Sequence, residues 1–325
     1  MIARPLRIED EGALHSLLSR YPYHDYRAYP RMPPDAGYRL LLRRFGGRSE
    51  CVASGGVLVG EVMVAAGLLE RLTWDSKHFG LAMGRIDPLV IDPRESATAT
   101  TDALIEWLLE RATEHGLQHL TVKVDSTELG ILQALEAKGF CLVDCLVTYF
   151  YDCHRDPVPP MKQLGMIRNY EPSDLAAVLA VAERMLSEYG GRFAFDRWLP
   201  RQGVRRFYVE WARNACAGQM ADRVLVGERH GHIVGFLGYG MERGPLQSIA
   251  VRIAGHGISA VLPEGTGLYP ALLAKAIVVD RIVAYDFAEF DTSVQNVLAQ
   301  RIFQRMGFHL ARTKYTLHRG VADTV

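Results

Sequence analysis

The sequence has no excess of charge of either sign: 37 Lys and Arg stand against 37 Asp and Glu, a formal net charge of zero over 325 residues. Proteins that hold nucleic acid along a broad surface carry a basic excess, so nucleic acid is not the expected partner. Long apolar runs are missing as well. The most apolar stretch, Val57 to Leu69, is broken by Glu61. Its pieces fall far short of the roughly 20 apolar residues that span a bilayer, and they read as two strands of a buried sheet. No membrane partner is expected. The opening residues, Met1-Ile2-Ala3-Arg4-Pro5-Leu6-Arg7, lack the apolar core of a signal peptide. Cysteine pairs are absent too. Cys51, Cys141, Cys145, Cys153 and Cys216 form an odd set without C-x-x-C, the usage of reduced thiols in a cytoplasmic protein. Cys141, Cys145, Cys153 and His154 are close in sequence, but their spacing matches no common zinc pattern, and no metal is expected. Neither a G-x-S-x-G elbow nor a Cys–His pairing signal appears, which argues against a covalent enzyme intermediate.

What is present is ordinary for a globular chain: 49% hydrophobic and 23% charged residues, with length for two domains of about 150 residues. The clearest break is Asp156-Pro157-Val158-Pro159-Pro160, whose prolines stop both helix and central strand. A linker over 156–165 then separates a lobe over 1–155 from one over 166–325. The two halves resemble each other. Leu6-Arg7-Ile8, an acidic turn and Leu14, Leu17 and Leu18 match Met166-Ile167-Arg168, Glu171-Pro172-Ser173-Asp174 and Leu175, Val178 and Leu179. Each reads as a short strand, a helix start and an amphipathic helix. Near the ends, Leu135 to Phe140 and Phe303 to Phe308 each close a helix at a glycine and enter a strand. Strands and helices alternate between, so the fold class is α/β (α+β), each lobe a mixed sheet flanked by helices.

The most informative segment runs from Gly257 through Ala260, Val261, Leu262, Gly265, Thr266, Gly267, Leu268 and Tyr269 to Pro270. It reads as strand, glycine turn and helix. A helix start offers free N–H groups and partial positive charge to a pyrophosphate, and Gly265 and Gly267 would let the phosphates approach the backbone. G-x-G also marks plain tight turns. A dinucleotide fingerprint wants a third glycine where Pro270 stands.

The loop, the strand ending Asp291-Thr292-Ser293, Asn296 at the next helix start and the Gly307-Phe308 close together resemble the GNAT superfamily. The resemblance implies acetyl-CoA or another acyl-CoA on residues Ala260 to Tyr269, with Asn296 and Phe303 also on the cofactor side. Leu262 stands where Gln or Arg is usual. Phe303 stands where the family often has a tyrosine acid for the departing thiolate, so that role does not carry over. Tyr315, Tyr269 and Tyr285 are the replacement hydroxyls, each equally readable as a packed aromatic. Asp291, Glu210 and His256 are candidate bases for the attacking amine. Asn296 is a further catalytic candidate, its amide placed to position a water or the pantetheine arm, and both Asp291 and Asn296 read equally well as helix caps.

Leu72 to Gly80, Gly191-Arg192-Phe193 and Arg206 to Asn214 resemble the dTDP-fucosamine acetyltransferases, with similarity running with gaps from about residue 70 to 319. That likeness implies a small-molecule amine acceptor, a nucleotide-linked amino sugar, lined by Arg192, Phe193, Asp196, Tyr208 and Trp211; the aromatics read alternatively as helix cores. In the first lobe the counterpart loop, Asp92 to Thr98, has no glycine and carries Glu95, and Glu128 and Leu135 take the Asn and Tyr positions. That lobe is not expected to bind CoA. Two other functions fit a tandem of this kind: aminoacyl transfer from charged tRNA, and CoA binding without transfer.

Overall fold

The computed structural model describes residues 2–46, 50–94, 98–160, 165–186, 191–242 and 249–321. In chain order the elements are β1 (Ala3–Pro5), α1 (Glu11–Arg20), α2 (Ala36–Phe45), β2 (Cys51–Val59), β3 (Val62–Arg71), α3 (Thr73–Phe79) and β4 (Met83–Ile91). Next come α4 (Thr98–Glu114), β5 (His119–Asp125), α5 (Leu129–Ala137), β6 (Cys141–Asp152), β7 (Met166–Asn169), α6 (Leu175–Leu186) and α7 (Arg201–Cys216). Last are β8 (Arg223–Arg229), β9 (His232–Glu242), β10 (Ile253–Val261), α8 (Leu268–Ile282), β11 (Phe287–Ser293), α9 (Val297–Arg305) and β12 (His309–Gly320). Among the described residues no helix is long and apolar enough to cross a membrane.

The chain forms two compact units, and their residue ranges interleave. One comprises Met1–Leu146, Phe195–Trp198 and Arg312–Val325; the other comprises Val147–Ala194 and Leu199–Ala311. These interleaved ranges differ from the simple halves expected at 1–155 and 166–325. Most of β12 belongs to the first unit and the end of β6 to the second. The sequence hid this because a strand's alternation is the same whether its partner is near or 200 residues away.

In the first unit, β1 to β4 pair antiparallel in succession, β5 runs parallel to β4, and Lys314–Gly320 of β12 pair antiparallel with His119–Asp125. In the second, β7 to β10 are antiparallel, β11 is parallel to β10, and β6 lies beside β11. Each sheet has helices on both faces. In the first unit, Leu104, Ile105 and Leu108 of α4 fill one side and Leu14, Leu17 and Leu18 of α1 the other. In the second, Leu272, Leu273 and Ile277 of α8 oppose Val178, Val181 and Ala182 of α6.

The internal duplication extends to single hydrogen bonds. Arg4 grips the Asp10 carboxylate with two guanidinium nitrogens at 2.7 and 2.6 Å, and Arg168 grips Asp174 at 2.7 and 2.9 Å. Each aspartate also accepts a backbone N–H at 2.8 Å, from Arg7 and from Glu171. Both bonds fix the angle at which chain enters helix, and charge-assisted, two-pronged pairing is the strong form of such a contact.

Candidate acyl-CoA site

The second unit's site begins with a pair of strands that part. β10 and β11 are in parallel register from Ile253 opposite Phe287 to His256 opposite Phe290, and no further. Beyond that point β10 stays on β9 as far as Val261, with register shifts on either side of His256. A wedge therefore opens between Ser259–Val261 and Asp291–Ser293, toward the carboxyl ends of both strands, where open α/β sheets take their ligands. The His256 side chain lies outside the described residues.

The turn after β10 is held from several sides. Leu262 N–H donates to Val234 O at 2.8 Å, and Gly265 N–H to Leu262 O at 2.8 Å. Arg229 donates to the carbonyls of Glu264 and Thr266 at 2.7 and 3.0 Å, which turns both oxygens aside. The Glu264 carboxylate, an obstacle to a phosphate, is paired with Arg184 at 2.7 Å. α8 then starts after Gly267, whose φ of +91° is the left-handed region that favours glycine. The N–H groups of the first helical turn have no partner within the helix.

The two glycines do different work. Gly265 is buried, and a Cβ there would lie 2.8 Å from Val261 Cγ1 and 3.0 Å from Val234 Cγ2. It permits the turn to close on the sheet, while Gly267 supplies the backbone angle. Gly265→Ala is expected to destabilise the protein by about 1–3 kcal/mol, the usual cost of overpacking, as read by urea unfolding.

The other expected residues fall as follows. Ala260 is buried, Val261, Leu262 and Tyr269 are half-buried, and Leu268 is fully buried with its side chain in the core. Asn296 caps α9: its Oδ1 accepts the Ala299 N–H at 3.2 Å and its Nδ2 donates to Thr292 Oγ1 at 3.2 Å. Asp291 is the first β11 residue past the last pairing with β10, and its carboxylate accepts the Thr148 hydroxyl at 2.6 Å. Phe303 is 1% exposed, in a cluster with Phe290, Tyr149 and Phe308. Tyr285 is buried and donates to Gly240 O at 2.6 Å. Tyr269 begins α8 with its hydroxyl 3.4 Å from Ser259 Oγ, on the stretch of β10 that has left β11.

The remaining expected residues are placed differently from one another. Tyr315 was expected in the second lobe but belongs to the first unit, opposite Val124 and against that unit's core. Asp196 belongs to the first unit and is fully buried, its carboxylate taken up by His119 and His318. Phe193 is 2% exposed and packs on Phe207 with ring centroids 4.4 Å apart, a core contact, with Arg192 over its ring. Tyr208 and Trp211 stack on α7, and Trp211 lies beside Gly257 of β10, at the start of the wedge. Tyr149, on the segment of β6 that the sequence assigns to the other lobe, joins the second unit's core, its ring 5.4 Å from Phe303 and its hydroxyl 3.4 Å from Gln304 Nε2. A cavity of about 360 Å³ lined by Tyr170, Cys216, Arg223, Tyr239 and Val279 lies where β8 begins and β9 ends, away from the loop after β10.

Comparison with solved structures decides the fold. The whole chain superposes on a GCN5-related N-acetyltransferase from Sphaerobacter thermophilus with a TM-score of 0.64 and 17% identity, covering 100% of this chain and 96% of that one. A tandem GNAT protein from the clavulanic acid biosynthesis pathway matches with a TM-score of 0.55 and 17% identity over 99% of each chain. The fold is the GNAT fold, in tandem. No family model matches the sequence. The spore coat polysaccharide biosynthesis protein SpsD of Bacillus subtilis (strain 168) is 25% identical over 203 residues, 61% of this chain. The match covers 65% of the length of that relative.

The first GNAT unit repeats the parting of strands. β4 and β5 are in register from Met83 opposite His119 to Ile86 opposite Val122, while β4 stays on β3 to Ile91. Its loop differs. Asp92 is 1% exposed and holds Arg20 at 2.9 Å and Arg94 at 2.7 Å. Glu95 lies outside the described residues. Where the second GNAT unit has Asn296, the first has Glu128, both of whose oxygens accept the Tyr21 hydroxyl at 2.8 Å.

Proposed function

We propose that the chain is an acyl-CoA-dependent N-acyltransferase, most simply an acetyltransferase, whose second unit holds the acyl-CoA and whose acceptor is the amine of a small sugar-like metabolite. The observation that carries the reading is the wedge between β10 and β11 with the Gly267 turn at its rim. The N–H groups that open α8 suit the pyrophosphate. The edge of β10 beyond His256, no longer paired with β11, suits a pantetheine arm and a thioester carbonyl. The kinship with SpsD, named for polysaccharide biosynthesis, supports a nucleotide-linked amino sugar as acceptor.

In this reading the amine attacks the thioester directly. Asp291, at the mouth of the wedge, takes the proton that the amine loses. Tyr269 supplies a proton to the departing thiolate. Its hydroxyl neighbours Ser259 on the wedge wall, whereas Phe303 is packed away and has none to give. Tyr208 and Trp211 on α7 offer flat apolar surface to a sugar or base face.

Free thiol released from acetyl-CoA with a panel of nucleotide-linked amino sugars tests the proposal. Tyr269→Phe is expected to lower kcat by about 10²–10⁴-fold, the range for a lost general acid, with acetyl-CoA affinity unchanged. Release no faster than hydrolysis with every amine offered would leave a CoA-binding protein without transfer, the alternative that Phe303 favours.

A further inference from the structure

The first unit contains a buried constellation that the acyl-transfer reading does not use. His119 opens β5, His318 lies near the end of β12, and Asp196 comes from the short segment Phe195–Trp198. All three side chains are 0% exposed. His119 Nε2 and His318 Nδ1 both meet the same carboxylate oxygen, Asp196 Oδ2, at 2.7 and 2.6 Å. The other oxygen accepts the Trp198 N–H at 2.8 Å. β5 and β12 pair antiparallel with His318 opposite Thr121 and Gly320 opposite His119, so both histidines project from one face of the ladder. Gly320 makes room there: a Cβ on it would lie 2.7 Å from Trp198, so the indole rests on bare backbone and brings Asp196 down onto the two rings.

We propose that His119, His318 and Asp196 form a structural site for a divalent transition metal, of which zinc suits the donors best. Two imidazole nitrogens and one carboxylate oxygen are a usual ligand set for that ion. The three ligating atoms lie within 4.8 Å of one another. Ligands at about 2.0–2.1 Å from zinc stand about 3.3 Å apart in a tetrahedron, so the rings need to part from the carboxylate by about 0.6–0.7 Å. As a hydrogen-bonded cluster the arrangement holds a carboxylate in a dry interior on two ring nitrogens and one backbone N–H, and burying such a charge is expensive. A divalent ion bound there supplies compensating positive charge.

A fourth position has a candidate partner as well. Thr121, the cross-strand neighbour of His318, has a buried hydroxyl with no hydrogen-bond partner among the described residues, and so does Thr316 on the same face. Either hydroxyl suits a trapped water that completes the shell. The ion would staple three segments far apart in sequence, which is where cross-linking limits the unfolded chain most.

Because the ligands are sealed from solvent, the metal is expected to enter during folding. The test is therefore the full chain produced in cobalt-supplemented minimal medium, with metal content and visible spectrum read on the purified protein. One equivalent of cobalt, with visible ligand-field bands and no near-ultraviolet thiolate charge-transfer band, is the expected result. His318→Ala and the milder His119→Gln are each expected to lose that equivalent, while Cys145→Ser keeps it. A folded wild-type chain with neither cobalt nor zinc would overturn the proposal on its own, whatever the variants do. So would a thiolate band, which assigns the ion to cysteines, or full retention in His318→Ala.

Discussion

Acetyl-CoA titrated into the chain is expected to saturate at one equivalent, and Gly267→Trp is expected to remove that binding. The reasoning starts from the backbone. At φ +91° a residue with a side chain carries about 1–2 kcal/mol of strain, so position 267 relaxes toward another conformation and the first N–H groups of α8 change direction. An indole added at the helix start also occupies the space a pyrophosphate needs. Loss of two charge-assisted hydrogen bonds, each worth about 1.5–3 kcal/mol, lowers affinity by about 100-fold or more. Gly265→Ala is the control, because that glycine serves packing against Val261 and Val234. It is expected to lose stability and keep affinity. Saturation at two equivalents would show that the first unit also binds. That outcome is not expected, since the Asp92 carboxylate and its two arginines occupy the corresponding turn.

Glu128→Gln is expected to stabilise the protein by about 3 kcal/mol at pH 8 and to change it little at pH 4.5. Burial pushes the Glu128 carboxyl up to about 7; nearby Asp125 adds to the shift, and the Tyr21 hydroxyl, Lys314 and Arg27 oppose it. The folded pKa thus lies above the unfolded value of 4.5. Below 4.5 both states hold the proton and the full stability is present. As pH rises toward 7 the unfolded chain has released a proton that the folded chain retains, so stability falls by about 1.4 kcal/mol per pH unit. Above 7 both are ionised and the loss is complete. Glutamine has no proton to lose, so its stability stays level over the same window. Asp25 and Asp125 act in the opposite sense at lower pH. Against burial, which raises both, Lys314, Arg312 and Arg44 hold Asp25 low and Arg27 and Thr127 hold Asp125 low, so their stabilisation disappears as the medium becomes acid. Urea unfolding from pH 4.5 to 8 separates these effects. Parallel curves for Glu128→Gln and wild type would mean that the carboxyl ionises as it does in water.

The local grammar of the fold was legible. Glycines at 139 and 307, both with positive φ, mark where a helix stops and a strand begins, and the Arg229–Gly231 turn joins β8 to β9 where the polar residues interrupt the apolar ones. The duplication was legible because Asp10 and Asp174 repeat an entire helix entrance. Partnership over long range was not. Nothing in the alternation of β12 says that its ladder is with β5, so the sequence puts Tyr315 in the second lobe while the structure puts it in the first unit. Asn296 shows a different limit: capping and catalysis ask for the same amide at the same helix start, and sequence cannot choose between them. His119, Asp196 and His318 escaped notice because metal patterns are sought among close neighbours, while these three meet across 77 and 122 residues.

The crossing of β12 into the first unit bears on how the chain is born. Translation delivers β5 long before Lys314–Gly320, so while the second unit is being made one edge of β5 lacks this ladder. An unpaired strand edge is a template for other chains. The nascent first unit thus depends for its closure on residues made only after the second unit, and truncation before β12 would cripple the domain whose synthesis began first.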